Sequence, residues 1–141
     1  MQQRLSIITL AVDDLQQSRG FYEKLGWQIA TEEQSDNIVA FNLNGFVLAL
    51  YPKTAFAKEL GLKEPPTLPP SFTLAYNVES IEAVDNMINE ASAIGANIIK
   101  EPQYVFWGGY SGYFTDIDGY YWEIAYNPFA KLTENGDFEW A

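Results

Sequence analysis

The chain has 141 residues and a formal net charge of −11, and it contains neither histidine nor cysteine. The acidity argues against nucleic acid as a partner, because phosphates bind basic surfaces. Without histidine and cysteine, Ser-His-Asp and Cys-His catalysis, ordinary zinc sites and two-His-one-carboxylate iron sites are excluded. Any metal would need oxygen ligands only, and proton transfer would fall to carboxylates, tyrosines or lysines.

The length suits one domain, or two small modules that share a core. No apolar run approaches the roughly 18 residues that a membrane span needs. The N-terminal residues lack a basic segment followed by an apolar signal core. The sequence therefore predicts a cytoplasmic protein without a membrane partner.

The first half begins with a strand and a helix. Residues 6–12 carry apolar side chains at every second position, which predicts a half-buried strand. Asp14 is a typical helix N-cap, and Gly26 is a typical helix stop. Three strand-like runs follow at residues 27–32, 38–43 and 46–51, with Asn44-Gly45 as the hairpin turn between the last two.

The second half repeats this order. Residues 71–78 predict a strand, Ser80 caps a helix, and Gly95 ends it. The apolar positions of this helix recur at helical spacing: Ile81, Val84, Met87, Ile88 and Ala91. Strands are then expected at residues 96–100, 110–115 and 120–126, with Asp118-Gly119 as the hairpin turn.

The repeated order indicates an internal duplication within an α+β fold. We expect one domain over residues 1–128, made of modules 1–52 and 71–128. The linker between them, residues 53–70, holds a short helix near residues 54–62 and an extended proline-rich stretch at residues 64–70. Residues 129–141 are expected to form a C-terminal tail.

One carboxylate interrupts the apolar and aromatic last strand. Tyr121, Glu123 and Ala125 share one face of that strand, because successive side chains alternate. A lone glutamate there either meets water or an arginine at the surface, or lines a concave site. The second alternative makes Glu123 the leading functional candidate. Turn chemistry accounts for Asp116 and Asp118.

Several motifs in their order resemble the vicinal oxygen chelate superfamily, which includes glyoxalase I, extradiol dioxygenases and bleomycin-resistance proteins. They are Val12-Asp-Asp-Leu15 with Ser18, Phe21-Tyr-Glu-Lys-Leu-Gly-Trp27, Phe114-Thr-Asp-Ile-Asp-Gly119 and Trp122-Glu123. The resemblance covers residues 4–128. It implies two βαβββ modules, a curled mixed sheet and a concave pocket.

Metal-dependent members of that family place ligands on the first and last strand of each module. In this sequence those positions hold Ile7, Ala49, Thr73 and Glu123. The resemblance therefore implies that only Glu123 is retained and that no metal or other cofactor is bound. Family members pair their modules into dimers, so a homodimer is expected.

The same resemblance implies that the trough binds a ligand. The candidate ligand-binding residues are Glu123, Tyr121, Trp107, Tyr110, Tyr51, Thr73, Ile7 and Ala49. The alternative is that these side chains simply pack, with Glu123 a structural remnant. Trp107 and Tyr110 flank Gly108-Gly109, which fits either a mobile flap that stacks on a ligand or a packed loop.

The leading functional hypothesis is metal-independent binding of a small molecule in an aromatic-lined trough, similar to bleomycin-resistance proteins. A cationic or partly planar ligand fits the acidic residue and the aromatic walls. The alternative is a glyoxalase-like lyase or isomerase that acts on a small carbonyl compound with Glu123 as its catalytic base. A third hypothesis is an interaction module whose sheet face serves only dimer contacts.

Overall fold

A computed structural model describes residues 1–33, 35–67 and 70–140. The chain forms two units, Met1–Thr67 and Leu68–Ala141, and each contains one mixed sheet, with two helices described in the first unit and one in the second. The α+β class expected from the sequence is confirmed. In the described residues, the longest helix has 13 residues, and none is long and apolar enough to cross a membrane.

The first unit is built around a three-stranded sheet. Its elements are β1 (Ile7–Val12), α1 (Leu15–Lys24), β2 (Val39–Asn42), β3 (Val47–Pro52) and α2 (Lys53–Glu59). The strand order is β1-β3-β2, with β1 parallel and β2 antiparallel to β3. Helix α1 covers one side of this sheet through Phe21 and Tyr22, which are buried near Phe41.

Helix α1 begins and ends where the sequence predicts. The Asp14 carboxylate accepts hydrogen bonds from the backbone N–H groups of Gln16 and Gln17 at 3.0 and 2.9 Å. Gly26 follows the helix with φ of 101°, a conformation that side-chain-bearing residues rarely adopt. Local capping and a glycine stop therefore fix the length of α1.

Residues 27–32 do not form the expected strand. The Ala30 N–H donates to the Ala40 carbonyl at 2.7 Å, so the segment stays beside β2 without a regular ladder. The following turn is held by side chains of α1 instead. Arg19 binds both carboxylate oxygens of Glu32, and the Gln16 amide donates to the Ser35 carbonyl. The first sheet consequently has three strands where the second has four.

The expected linker helix is present as α2. It begins one residue earlier and ends three residues earlier than predicted, and it packs towards β1 and β3 with Ala57 buried. Lys53, its first residue, forms an ion pair with Asp13. The proline-rich stretch at residues 64–70 is only partly covered, because residues 68 and 69 lie outside the described residues.

The second unit is built around a four-stranded sheet. Its elements are β4 (Thr73–Val78), α3 (Ile81–Ala93), β5 (Asn97–Tyr104), β6 (Tyr110–Thr115) and β7 (Tyr121–Tyr126). The strand order is β4-β7-β6-β5, and only β4 and β7 are parallel. Helix α3 buries Val84, Ile88 and Ala91 against this sheet, as its apolar periodicity predicts.

The β6–β7 hairpin closes through its aspartates and glycine. Asp116 is 3% exposed, and its carboxylate accepts hydrogen bonds from the backbone N–H groups of Asp118 and Tyr120. Gly119 adopts φ of 93°. The turn role that the sequence indicates for Asp116 is confirmed, and this loop fixes the pairing of β6 with β7.

Residues after β7 fold back on themselves. Leu132 and Phe138 form an isolated antiparallel bridge, and Thr133 and Asp137 exchange hydrogen bonds inside it. The ring of Trp140 contacts Phe138 edge-on and is largely exposed. The tail is thus a small turn structure at the end of the second unit.

Candidate functional site

Each sheet has a helix on one side and a second face, here called its front face, on the other. Strand alternation and register define both faces. The front face of the first sheet carries Ile7, Thr9, Ala11, Ala40, Asn42, Val47, Ala49 and Tyr51. The front face of the second sheet carries, on β4, β7 and β6, Thr73, Ala75, Asn77, Tyr121, Glu123, Ala125, Ser111, Tyr113 and Thr115.

The internal duplication is visible in the register of the two sheets. Ile7 pairs with Val47, two residues before Ala49, and Thr73 pairs with Tyr121, two residues before Glu123. The four positions at which the family resemblance implies ligands are therefore two equivalent pairs, one in each unit. They differ in chemistry, because one pair is aliphatic and the other carries a hydroxyl and a carboxylate.

The two front faces differ in the same way over their whole area. Most side chains on the first face are small or aliphatic. On strands β4, β7 and β6 of the second face, Ala75 and Ala125 are apolar and the other side chains carry hydroxyl, amide or carboxylate groups. Hydrogen-bonding chemistry on the front faces is thus concentrated in the second unit.

Glu123 lies in the central row of the second front face. Its direct neighbours are Ala75 on β4 and Tyr113 on β6, and both Glu123 and Tyr113 are half-buried. Tyr113 and Glu123 are therefore side by side on the front face. Burial, together with the neighbouring Glu123 carboxylate, raises the pKa of Tyr113 to about 12.

Glu123 takes part in no ion pair within the part of the chain that the structure describes. Lys100 is opposite Tyr113 on β5, two strands away from Glu123. A partly dehydrated carboxylate beside one phenol retains unused acceptor capacity. Such a group is suited to bind a hydrogen-bond donor or a cation.

The structure brings three predicted ligand-binding residues together. Thr73, Tyr121 and Glu123 lie on the front face of the second sheet, on the adjacent strands β4 and β7. Ile7, Ala49 and Tyr51 lie on the front face of the first sheet, where Ala49 is buried and Ile7 is exposed.

Tyr110 does not lie with the other candidates. It is on the helix side of β6, where its hydroxyl donates to the Asp85 carboxylate of α3 at 2.8 Å. Its ring also meets Tyr104 edge-on, with 5.1 Å between the ring centroids. The hydrogen bond to Asp85 is the main cause that raises the pKa of Tyr110. Tyr110 therefore joins the hairpin to α3 on the side opposite Glu123.

Trp107 lies in the loop between β5 and β6. Its ring rests directly on Gly109, where any side-chain carbon would collide with it, and Trp107 remains 37% exposed. Gly108 adopts φ of 94° against the ring of Phe129. The paired glycines thus allow two aromatic rings to pack on the loop backbone.

The sequence analysis did not identify Tyr113 as a neighbour of Glu123. The hairpin turn could have shown it, because the Asp-Gly loop sets β6 opposite β7 and pairs Thr115 with Tyr121. Counting two residues along each strand from that pair places Tyr113 across from Glu123. The alternation of β6 alone likewise separates Tyr110 from Tyr113, because residues three apart lie on opposite faces.

The side chains at the family's ligand positions do not fit a divalent metal ion. Isoleucine and alanine in the first unit offer no donor atom, and Thr73 and Glu123 in the second offer a neutral hydroxyl and one carboxylate. Oxygen-ligated metals require more carboxylate and carbonyl ligands than this. Among residues 1–33, 35–67 and 70–140, no three acidic side chains come close enough to form such a site elsewhere.

The fold agrees with a sequence comparison against protein families. Residues 4–124 match the Glyoxalase/Bleomycin resistance protein/Dioxygenase superfamily, and the chain belongs to this family. The resemblance noted from the sequence motifs is thereby confirmed.

Several solved structures are also similar to this chain. A glyoxalase-related enzyme from Fulvimarina pelagi is 31% identical, with 99% of each chain covered and a TM-score of 0.92. A hypothetical protein from S. aureus is 25% identical, with 90% of this chain and 95% of the other covered and a TM-score of 0.78. Lactoylglutathione lyase from Agrobacterium tumefaciens, at 16% identity, 90% and 96% coverage and a TM-score of 0.68, shares the fold alone. A comparison with curated protein sequences found no match.

Proposed function

We propose that this protein binds a small organic molecule without a metal ion, and that Glu123 on the front face of the second sheet orients or neutralises that ligand. This function corresponds to the bleomycin-resistance-like members of the superfamily rather than to its metal-dependent enzymes. Tyr121 and Thr73 would contact the ligand beside Glu123.

The proposal depends on the environment of the Glu123 side chain. The side chain is half-buried on a polar face, lies beside Tyr113, and has no ion-pair partner among the described residues. A partly dehydrated carboxylate is costly unless a partner compensates it. A ligand with donor groups supplies that compensation, and the donor-poor positions Ile7 and Ala49 argue against a metal in the same role.

A thermal-shift panel tests the proposal. It covers cationic aromatic compounds, the divalent ions of manganese, nickel and zinc, and the glutathione–methylglyoxal adduct. A ligand at about 100 times its dissociation constant adds roughly 2.7 kcal/mol of apparent stability. For a chain of this size that raises the melting temperature by roughly 5–10 °C. We expect stabilisation by organic cations and none by metals; a clear shift with a divalent metal would overturn the metal-free proposal.

A second candidate function is a lyase or isomerase that uses Glu123 as its base on a small carbonyl compound. It is favoured by the 31% identity to a structure described as a glyoxalase-related enzyme. Glu123→Gln should then abolish turnover while the fold and the ligand-induced thermal shift persist. Turnover that is unchanged by a chelator would leave only the metal-free form of this function.

We also propose that the protein is a homodimer, as in related small binding proteins of the superfamily. Light scattering on the purified chain tests this directly. A mass near 15.9 kDa, that of one chain, at micromolar concentration would contradict the dimer.

A further inference from the structure

The loop between β5 and β6 carries a cluster of exposed aromatic side chains, here called the aromatic patch. Its members are Tyr104, Phe106, Trp107 and Phe129, the last of which follows β7. Phe106 is fully exposed, and Tyr104 and Phe129 are 73% and 72% exposed. A single exposed apolar side chain is ordinary on a protein surface, whereas a group of them in one place marks an interaction site.

The backbone of the loop holds this patch in a defined shape. The Val105 N–H donates to the Gly109 carbonyl, and the Gly108 N–H donates to the Val105 carbonyl, each at 3.0 Å. The ring of Trp107 lies on Gly109, and the ring of Phe129 lies on Gly108. A loop that is already ordered in this way loses little conformational entropy when a partner covers it.

The area of the aromatic patch fits a second copy of the same patch. From the exposed fractions of its side chains, the patch presents about 500 Å² of surface. A specific contact between two proteins buries at least roughly 1,000 Å² in total, counted over both partners. Two copies of the patch placed face to face reach this lower limit, so the area corresponds to a small two-fold interface.

The distribution of charge also favours contact between copies at this patch. The chain has a net charge of −11, so two copies repel each other at neutral pH. Residues 103–115 and 126–130 contain no charged side chain, and the nearest charged residues in sequence to the patch are Glu101 and Lys131. A contact formed by these segments buries aromatic surface without burying a carboxylate of either copy.

We infer that the aromatic patch is the surface through which two copies of this chain associate, and that Phe106 contributes most to the contact. The inference rests on the homodimer proposed above and adds the surface that forms it. A two-fold contact uses the same patch on both copies, so each aromatic surface meets one of its own chemistry. Aromatic residues are enriched in such interfaces, because they bury a large area at a low cost in side-chain entropy.

Sedimentation equilibrium of the full chain, from sub-micromolar to sub-millimolar concentration, tests the inference. Phe106→Ser and Phe129→Ser each remove an exposed ring from the patch, whereas Phe106→Leu keeps an apolar side chain in the loop. The side chains are exposed, so the fold should persist in all three variants. We expect both serine variants to raise the dimer dissociation constant by at least about 10-fold, and Phe106→Leu to change it by less than about 3-fold.

Leu60→Ser is the matched control, because it also replaces an exposed apolar side chain, at the end of α2 in the first unit. This variant should dimerise like the original chain. Amide NMR spectra at low and high protein concentration add a measurement of position. Association should shift the amide resonances of residues 103–109 and 129–130, and it should leave those of residues 58–62 unchanged.

The outcomes separate this inference from the homodimer proposal. If the original chain stays a monomer over the whole concentration range, both fail. If it dimerises and the serine variants dimerise as tightly, the copies associate through another surface and only the inference fails. An equal loss of dimer in Leu60→Ser, or concentration-dependent shifts confined to other residues, likewise overturns the role of the aromatic patch.

Discussion

Tyr113 and Glu123 are directly opposite each other on the antiparallel strands β6 and β7, and the carboxylate adds to burial in raising the pKa of the phenol. Cross-strand neighbours of this kind share one face of a sheet. The pair therefore places a charge and an aromatic ring side by side at the centre of the most polar surface of the second sheet. Its geometry depends on the β6–β7 register, which the hairpin at Asp116 and Gly119 sets.

Replacing Glu123 with glutamine should lower the pKa of Tyr113 from about 12. Burial is the larger cause of the raised pKa and persists in the variant, whereas the contribution of the neighbouring carboxylate is lost. The pKa should therefore fall only part of the way to 10.0. NMR titration of ring-labelled tyrosine measures it, with Tyr110 as an internal reference because its partner is Asp85. An unchanged Tyr113 titration would contradict the contribution of Glu123 to this pKa.

Stability should decrease as the pH rises from 10.0 towards about 12, in part through Tyr113. The pKa of this tyrosine is higher in the folded state than in the unfolded state. In this window the unfolded chain releases the proton while the folded chain keeps it, so that rising pH favours unfolding. Below the unfolded pKa the contribution is fully present. Denaturant unfolding at a series of alkaline pH values should show a smaller slope in Tyr113→Phe than in the original chain, and equal slopes would count against the raised pKa.

Two glycine-to-alanine substitutions should have opposite effects on stability. A Cβ at Gly112 would lie 3.1 Å from the Lys100 carbonyl oxygen and equally close to Pro102, where β5 bulges against β6. Gly112→Ala should therefore displace β5 and cost about 1–3 kcal/mol, the usual range for overpacking. Gly20 lies within α1, where a Cβ would meet no neighbouring atom within 4 Å and where the helix favours alanine over glycine.

Gly20→Ala should accordingly stabilise the protein by about 0.5–1 kcal/mol. Denaturant titration of both variants under the same conditions measures the two changes. A neutral Gly112→Ala would mean that β5 adjusts freely at its bulge. A destabilising Gly20→Ala would contradict the open surroundings of that residue.

The sequence predicted most elements because the deciding signals are local. Asp14 and Ser80 cap helices with their own side chains, and Asn44-Gly45 and Asp118-Gly119 close hairpins with left-handed glycines. The predicted strand at residues 27–32 was wrong, because side chains of α1 bind Glu32 and Ser35 at the end of this segment and hold a turn there. The local pattern of that segment still resembles a strand.

The candidate site was predicted only in part for a related reason. Counting from the repeated landmarks put Ile7 and Ala49 on one face of the first sheet, and Thr73 and Glu123 on one face of the second. This worked because both units share one strand register. Tyr110 was grouped with Trp107 as a loop aromatic, whereas strand alternation turns it towards α3. Tyr113 required the pairing of two strands, which no single-strand pattern contains.

Arg19 should hold the loop that follows α1 in a defined conformation. Its guanidinium contacts Glu23 on its own helix and both carboxylate oxygens of Glu32 across the loop. The hydrogen bond from Arg19 holds the pKa of Glu32 below its usual value, so the contact is present at neutral pH and is lost as the pH falls through that lowered pKa. Arg19→Gln should therefore increase amide hydrogen exchange in residues 27–33 and 35–38 at neutral pH, while β1 and β3 keep their protection.

Lys24→Gln is the matched control, because it removes the same charge from the last turn of the same helix. It should leave exchange in the loop unchanged. High salt should reproduce part of the Arg19→Gln effect in the original chain, since exposed ion pairs are screened. If Arg19→Gln and Lys24→Gln give the same exchange pattern, the loop is held by its backbone and by Gln16 rather than by the guanidinium.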